Sequence, residues 1–580
     1  MKPSPLRDER VRQTLSIINN LDLTHPSGPL LSAFMLEALD PVLASSYVND
    51  RLSGGDAQSL ISDWVYIIEC ITRSGSPPPP PDTIAQRAIT RRDGGKCCIT
   101  GKKRGIFDPL FIVPILPIPV GWVTERKQIF DMLGAFFGPP YRDWWLSYIK
   151  EPRIKTPYGN HWLVRRSAAT AFANGFVYLD RQQPSMIEYM VSYVHIGPQE
   201  PIEVDGSLPL LGDHSRSGIV SIDARFIGTH ARLCSSIRFL DIARSIAPEI
   251  LGESLPPSAL HSSSPLHASL VQHVMSTALN LKLPLIAAIG NSFLTFWRLV
   301  PWKARIAVYE LLRKLGAALY GPPNDYSTVQ RLPFGLYLKY HGEAAGFRNE
   351  FNALRLVRQY TTIPVPKPLD VVAPPRQSRT DDQSSLFSLS TDAYVLITRL
   401  PGVPLSRCQH NLSNKDCERI VGQMRDYLTQ LRSIPNLANH DAPICNTLGE
   451  ACRDPRIRGE QPVGPFADEA SFSQMLRFSD EPSRRGHKIV FTHADLNPRN
   501  ILVDEVTQRD GSKGWSVTGI VDWECAGYYP EYWDYTKAMF EGFRWIKRYN
   551  DLVKEIFKEF GNYSQELDVE TRSWETGDGI

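Results

Sequence analysis

The chain has 580 residues, of which 42% are hydrophobic, 22% charged and 10% aromatic. These are the values of a globular protein, with chain enough for two to four domains at roughly 150 residues each, and they exclude disorder throughout. Lys and Arg number 64 against 62 Asp and Glu, so the formal charge is +2 and no global electrostatic footprint marks a nucleic-acid or anionic-membrane binder.

The chain opens on MKPSPLRDERVRQ, which is polar and lacks the apolar core of a signal peptide. The nine cysteines are scattered, with no C-x-x-C pair and no zinc spacing. Both features point to a reduced, intracellular protein, and the expected location is cytoplasmic. Leu60, Ile61, Trp64, Val65 and Ile68 have the spacing of a helix face. The run from Ser74 to Asp82, SGSPPPPPD, cannot be helical and ends this first piece.

The next stretch, RRDGGKCCITGKK (Arg91 to Lys103), is similar to the opening of fungal HNH-nuclease-like domains, where R-D-x-x-x-C-x-x-T-G precedes a histidine-bearing segment. If Leu110 to Pro114 is that segment, Phe111 stands at the histidine position. If Ser167 to Phe176 matches the later H-x-x-F segment, Ala169 stands at the other. Neither side chain can bind a metal or take a proton. The resemblance therefore implies an α+β domain of HNH type without the nuclease chemistry, a structural or interaction module open to a partner protein. The aromatic run FDMLGAFFGPPYRDWWLSYI (Phe130 to Ile149) is expected to pack against the C-terminal part of the chain.

A Pro/Ser-rich linker is expected from Pro256 to Pro265. Leu283 to Val300 is largely apolar, but Pro284, Asn291 and Arg298 interrupt it. A spanning helix needs about 20 predominantly apolar residues, so a buried or interfacial helix is expected here rather than a membrane span. Helical spacing follows in Ala304 to Leu319, strand-like runs in Gly335 to Tyr340 and Ala393 to Leu400, and a helix in Cys417 to Ile434. The polar stretch Pro374 to Asp392 between them reads as a mobile loop. Two short apolar strands, Lys488 to His493 and Ser516 to Trp523, bracket a polar turn.

Those last two strands deliver the chemistry. FTHADLNPRNILVDE (Phe491 to Glu505) carries His493, Asp495 and Asn500, and GIVDWECAG places Asp522 at the end of the second strand. Two carboxylates and an amide at strand ends are what magnesium-assisted phosphoryl transfer requires. One carboxylate accepts the nucleophile's proton, and oxygen ligands hold the metal on the phosphates.

HADLNPRN resembles the H-x-D-L-x-x-x-N catalytic loop of protein-kinase-like phosphotransferases. VDWE in place of D-F-G, followed by PEYWDY, is similar to the aminoglycoside phosphotransferase and choline kinase branch. The resemblance covers roughly 305 to 575. It implies Asp495 as catalytic base, Asn500 and Asp522 as metal ligands with Glu524 adding to that shell, and His493 and Asp534 as braces of the loop. It also implies a cofactor pair of ATP and Mg2+, with Lys339 on the nucleotide phosphates and Glu350 as its ion-pair partner, Glu343 being a second candidate. Ile397 to Gly402 resembles the hinge that faces adenine. Two departures stand out: no G-x-G-x-x-G loop precedes Lys339, and Arg499 stands where many relatives have glycine. Tyr528, Tyr529, Tyr532 and Trp533 could cage a quaternary ammonium, but packing explains them better.

The expected fold class is thus α+β: a bilobal protein-kinase-like C-terminal domain with an α+β (HNH-like) N-terminal domain. The divisions are 1–82 (helical segment and Pro-rich linker), 83–255 (degenerate HNH-like domain), 256–304 (linker and apolar helix) and 305–575 (kinase-like domain). The expected activity is ATP- and magnesium-dependent phosphorylation of a hydroxyl on a small-molecule substrate, with no nucleic acid and no membrane involved. The alternative is a pseudokinase scaffold. A protein kinase is disfavoured, because no D-F-G or A-P-E follows the catalytic loop.

Overall fold

The computed structural model describes residues 7–72, 81–106, 108–117, 126–150, 158–181, 189–198, 202, 204, 211–251, 294–321, 323, 328–373, 393–457, 461–508, 510–540, 545–575 and 580. The expected linker at 256–265 and loop at 374–392 lie outside these residues, as does 283–293 of the apolar stretch. The chain forms two compact units, 1–263 and 264–580.

The first unit opens with four helices, α1 (Glu9–Asn20), α2 (Ser27–Glu37), α3 (Pro41–Ser53) and α4 (Ala57–Thr72). Asp8 and Asp40 cap α1 and α3 by accepting backbone N–H groups of the first turn. The apolar face of α4 is buried as its spacing predicts, with Leu60, Ile61, Trp64 and Ile68 wholly inaccessible. Helix α5 (Thr83–Arg92), strand β1 (Leu110–Pro114) and helices α6 (Lys127–Phe137) and α7 (Pro139–Lys150) follow. Then come β2 (His161–Arg165), α8 (Arg166–Ala173), the hairpin β3 (Val177–Arg181) and β4 (Tyr189–Tyr193), and the long α9 (Ala224–Ile246). One apolar core joins α1–α4 to α6, α8 and α9.

The aromatic run belongs to this core. Phe136 packs on Phe34 and Trp64, and Trp144, Trp145 and Tyr148 surround Phe226 of α9. The expectation that these rings pack against the C-terminal part is replaced by packing within their own unit. Periodicity marks a face as apolar but does not say which neighbour covers it.

The Arg-Asp-Cys segment acts as a clasp. Strand β1 pairs antiparallel with β2, from Leu110↔Arg165 to Pro114↔His161, and α8 follows β2 directly. The fully buried Arg92 guanidinium binds Asp93 at 2.6 Å and donates to the carbonyls of Tyr158 and His161 at 2.6 and 2.7 Å. Asp93 accepts the Leu163 N–H at 2.9 Å, and Cys97 Sγ accepts from the Thr100 and Arg165 N–H groups at 3.3 Å each. Among the described residues no group of three or more His, Cys, Asp and Glu side chains could hold a metal ion.

The second unit begins, among the described residues, with a helical turn at 294–299. There Phe296 and Leu299 are 71% and 76% exposed, so this end of the apolar stretch is not buried. No helix among the described residues is long and apolar enough to cross a membrane. Helix α10 (Trp302–Tyr320) leads into an antiparallel sheet of order β5-β6-β8-β7, made of β5 (Val329–Leu332), β6 (Leu336–Gly342), β8 (Ala393–Thr398) and β7 (Pro368–Val372). Helix α11 (Ala344–Tyr360) lies between β6 and β7 in sequence. Strand alternation splits the sheet into two faces. Tyr340, Tyr394 and Leu396 join Tyr309 of α10 in one core, while Ala393, Val395 and Ile397 join Phe347, Leu354 and Val357 of α11 in another. Lys339 pairs with Val395 in the ladder and so stands on the α11 face.

The rest of the unit is mainly helical. It holds α12 (Asn414–Arg432), α13 (Trp533–Phe540), α14 (Lys547–Phe557) and α15 (Ser564–Glu575). Two small sheets complete it. In one, β12 (Ile501–Thr507) lies between β13 (Lys513–Ile520) and β9 (Val403–Pro404). In the other, β14 (Gly527–Pro530) lies between β11 (Ile489–Thr492) and β10 (Cys445–Asn446). Together with the four-stranded sheet they give the C-terminal half a mixed, kinase-like arrangement of helix and sheet.

Candidate active site

The site is assembled at strand ends. Register Ile501↔Ile520 sets the residue before β12, Asn500, beside the residue after β13, Val521. The Val521 N–H donates to the Asn500 carbonyl at 2.9 Å, and the Val521 carbonyl bonds His493 Nε2 at 2.9 Å. His493 Nδ1 accepts the Asp495 N–H at 3.2 Å, so the imidazole carries its proton on Nε2 and links the backbone of the loop before β12 to the strand end that delivers Asp522. It is wholly buried and acts as a brace. Asp534, at the start of α13, accepts the N–H groups of Ala494 and His493 at 2.8 and 3.3 Å. Ala494 and Asp522 both adopt left-handed backbone, φ +61° and +69°, which non-glycine residues rarely hold unless their surroundings fix them.

Lys339 meets Glu350, its expected ion-pair partner, and Asp522 as well. Its Nζ lies 2.8 and 2.9 Å from the Glu350 carboxylate oxygens and 2.6 Å from Asp522 Oδ1. Burial alone would push the ammonium pKa down, but the adjacent Asp522 and Glu350 carboxylates outweigh it and raise it, so Lys339 is a fixed cation. The same contact holds the Asp522 carboxyl below its usual range. Glu350 is 1% exposed in its side chain, whereas Asp522 is 40% exposed and open to solvent. Glu343, the second candidate, sits at the N-terminus of α11 and pairs with Arg453 instead.

Asp495 is held from several sides. Asn500 Nδ2 donates to its Oδ2 and its carbonyl at 2.9 Å each, and Asn497 Nδ2 donates to its Oδ1 at 3.1 Å. Lys537 Nζ of α13 lies 3.4 Å from the same Oδ1. The Glu524 carboxyl is pushed up to about 7, by desolvation among the cleft walls and then by the charge of Asp522. With its nitrogen engaged by Asp495, Asn500 would meet a cation through Oδ1. That oxygen and the Asp522 and Glu524 carboxylates are hard oxygen donors, the residue types magnesium prefers.

Several residues that shape the site carry no signal in the sequence alone. Asn349 of α11 donates to the Glu524 and Ala526 carbonyls at 2.9 and 2.8 Å and so ties the strand after Asp522 to the helix that carries Glu350. Asp454 and Arg456 are fully buried together, at 2.9 Å, with Glu570 on the guanidinium's other side. Tyr529 stacks on Trp533 with centroids 5.4 Å apart, and the Tyr528, Tyr529, Tyr532 and Trp533 side chains are all buried, which makes them core rather than a cage. The expected nucleotide-loop region, 321–335, is described in part. It closes on a tight turn with Phe334 at its tip, 97% exposed at φ +63°.

Comparison with known proteins gives the following. The model of the phosphotransferase enzyme family matches residues 289–563. Among solved structures, the apo form of a thermostable mutant of aminoglycoside phosphotransferase APH(4)-Ia is 13% identical, over 44% of this chain and 86% of that one, with a TM-score of 0.29. A ternary complex of such a mutant with ADP and hygromycin B is 11% identical, over 45% and 86%, at 0.29. The GDP complex of aminoglycoside 2'-phosphotransferase-IIIa is 14% identical, over 46% and 84%, at 0.28. No curated protein matches the chain. The C-terminal half of the chain carries a domain of the phosphotransferase enzyme family.

Proposed function

We propose that residues 305–575 form an ATP- and magnesium-dependent phosphotransferase acting on a hydroxyl group of a small molecule. One observation carries the reading: Lys339 is clamped between Glu350 and Asp522, while Asp495 and Asn500 share a hydrogen-bonded loop stitched to the strand that ends at Asp522. A surface lysine or a structural acid pair has no need of that convergence.

In this reading Glu350 holds Lys339 in place while the ammonium turns from Asp522 toward the nucleotide phosphates. The cation at that position supplies charge against the phosphate oxygens, and the buried salt bridge fixes it before substrate arrives. Asp495 orients the acceptor hydroxyl and receives its proton at a carboxylate oxygen. Asn500 Oδ1 and Asp522, with Glu524 beside them, would hold magnesium, which supplies charge neutralisation at the phosphates when bound. For the N-terminal unit the reading is a non-catalytic module of HNH type that offers its surface to a partner protein. The antiparallel pairing of β1 with β2, and α8 following β2 directly, support this, and under the HNH resemblance Phe111 and Ala169 stand where ligands would be needed.

The test is transfer of the γ-phosphoryl group from ATP to a panel of hydroxyl-bearing small molecules, followed by mass spectrometry, with Asp495→Asn as control. Magnesium-dependent product from the natural chain and none from the variant is the expected result. A chain that binds ATP yet phosphorylates nothing in the panel and does not hydrolyse ATP would favour the scaffold.

A further inference from the structure

We propose that Lys537 is a positioning residue for Asp495. Its ammonium would fix the carboxylate in the one orientation that faces an acceptor hydroxyl and balance the negative charge gathered beneath it. The inference rests on the phosphotransfer reading above and extends it to a side chain outside the catalytic loop.

Lys537 is only 4% exposed, and a lysine is seldom buried without an ionic partner. Its Nζ lies 3.4 Å from Asp495 Oδ1. It also lies close enough to the buried Asp454 to help hold that carboxyl below its usual range, after Arg456. Asp495 itself keeps 20% of its side chain accessible. The ammonium therefore approaches the carboxylate from the protein side and leaves the open side to the cleft.

Helix geometry explains why one element can do this. Asp534 and Lys537 are three residues apart on α13 and share a face. Asp534 accepts the backbone N–H groups of His493 and Ala494, and Lys537 reaches the side chain of the next residue, Asp495. One helix face thus holds three consecutive residues of the loop. The helix is anchored in turn, because Trp533 Nε1 donates to Asp454 at 2.9 Å and Thr536 Oγ1 to Glu570 at 2.9 Å. A reacting carboxylate gains from such support, since a misplacement of about 1 Å can lower turnover about a hundredfold.

The experiment compares the full-length chain with Lys537→Met, close in length but neutral, and Lys537→Arg. Three quantities are read: magnesium-ATP binding by calorimetry, kcat and KM for ATP on an acceptor or on water, and the melting temperature. The expected result is a kcat about 10- to 100-fold lower in Lys537→Met, with Kd and KM for ATP within about twofold of the natural chain and partial recovery of kcat in Lys537→Arg. Unchanged kcat in Lys537→Met overturns the proposal and leaves the phosphotransfer reading intact. A parallel loss of ATP binding also overturns it, because Lys537 would then serve the nucleotide or the fold. If the Met variant does not fold, Lys537→Gln replaces it: lowered kcat with unchanged ATP binding supports the role, and unchanged kcat refutes it. A natural chain that neither binds nor turns over magnesium-ATP removes the phosphotransfer reading, and this proposal with it.

Discussion

Asp495 holds its place through three donors from two parts of the chain, and this arrangement sets what its removal should do. Asp495→Asn keeps the shape but places an amide against Asn497, Asn500 and Lys537, and it cannot accept a proton. Turnover should fall about 10²- to 10⁴-fold with KM for ATP little changed, as steady-state kinetics would report. A loss in KM alone would assign Asp495 to nucleotide binding instead. At this scale the sequence is informative where chemistry and spacing coincide. Lys339 on an alternating strand and Glu350 on a helix share one buried face, and the two meet at 2.8 Å. It is uninformative for Lys537, Asn349 and Asn497, because a lysine in a helix or an asparagine in a loop looks ordinary until tertiary packing aims it at the site.

Elements hold the site through contacts that propensity would not choose. Gly316 stands inside α10, where alanine would favour the helix by about 1 kcal/mol. A Cβ at this position, however, would fall well inside contact distance of the Arg331 carbonyl on β5 and within 3.0 Å of Gln330 Cγ and Leu332 Cδ2. Steric overlap with a paired strand outweighs propensity, so Gly316→Ala should lower the melting temperature. A rise would contradict the packing described.

A second contact of this kind is the staple at His487, just before β11. Its Nδ1 lies 2.7 Å from Glu469 and its Nε2 3.3 Å from Glu566 of α15. Burial opposes protonation, but the hydrogen bonds and charges of the two glutamates outweigh it and raise the imidazole pKa from 6.5 to about 9. A raised folded-state pKa means that this stabilisation is fully present below pH 6.5 and is lost as the pH climbs through about 9. The melting-temperature gap between the natural chain and His487→Gln should therefore be widest near about pH 6 and narrow by about pH 10. A gap that grows with pH would refute the staple. Helices and strands are legible where their apolar spacing is regular. The faces that cover them are not, as the aromatic run of α6 and α7 illustrates by packing on Trp64 and Phe226.

The whole molecule joins two units with separate apolar cores, 1–263 and 264–580. The near-zero net charge leaves no global field, so recognition must come from local sites, and the chemistry legible in the sequence gathers in the second unit. The N-terminal half is harder to read. Its Arg-Asp-Cys segment is a polar clasp whose partners, three backbone carbonyls among them, leave no trace in side-chain identity. The account's central claim concerns the cleft formed by Lys339, Glu350, Asp495, Asn500 and Asp522. Its most direct test is a calorimetric titration of the full-length chain with ATP, with and without magnesium, alongside Asp522→Asn. The account predicts micromolar binding that requires magnesium and weakens at least about tenfold in the variant, a loss of about 1.4 kcal/mol. Absence of binding in both conditions, or binding indifferent to magnesium and to Asp522, would contradict it.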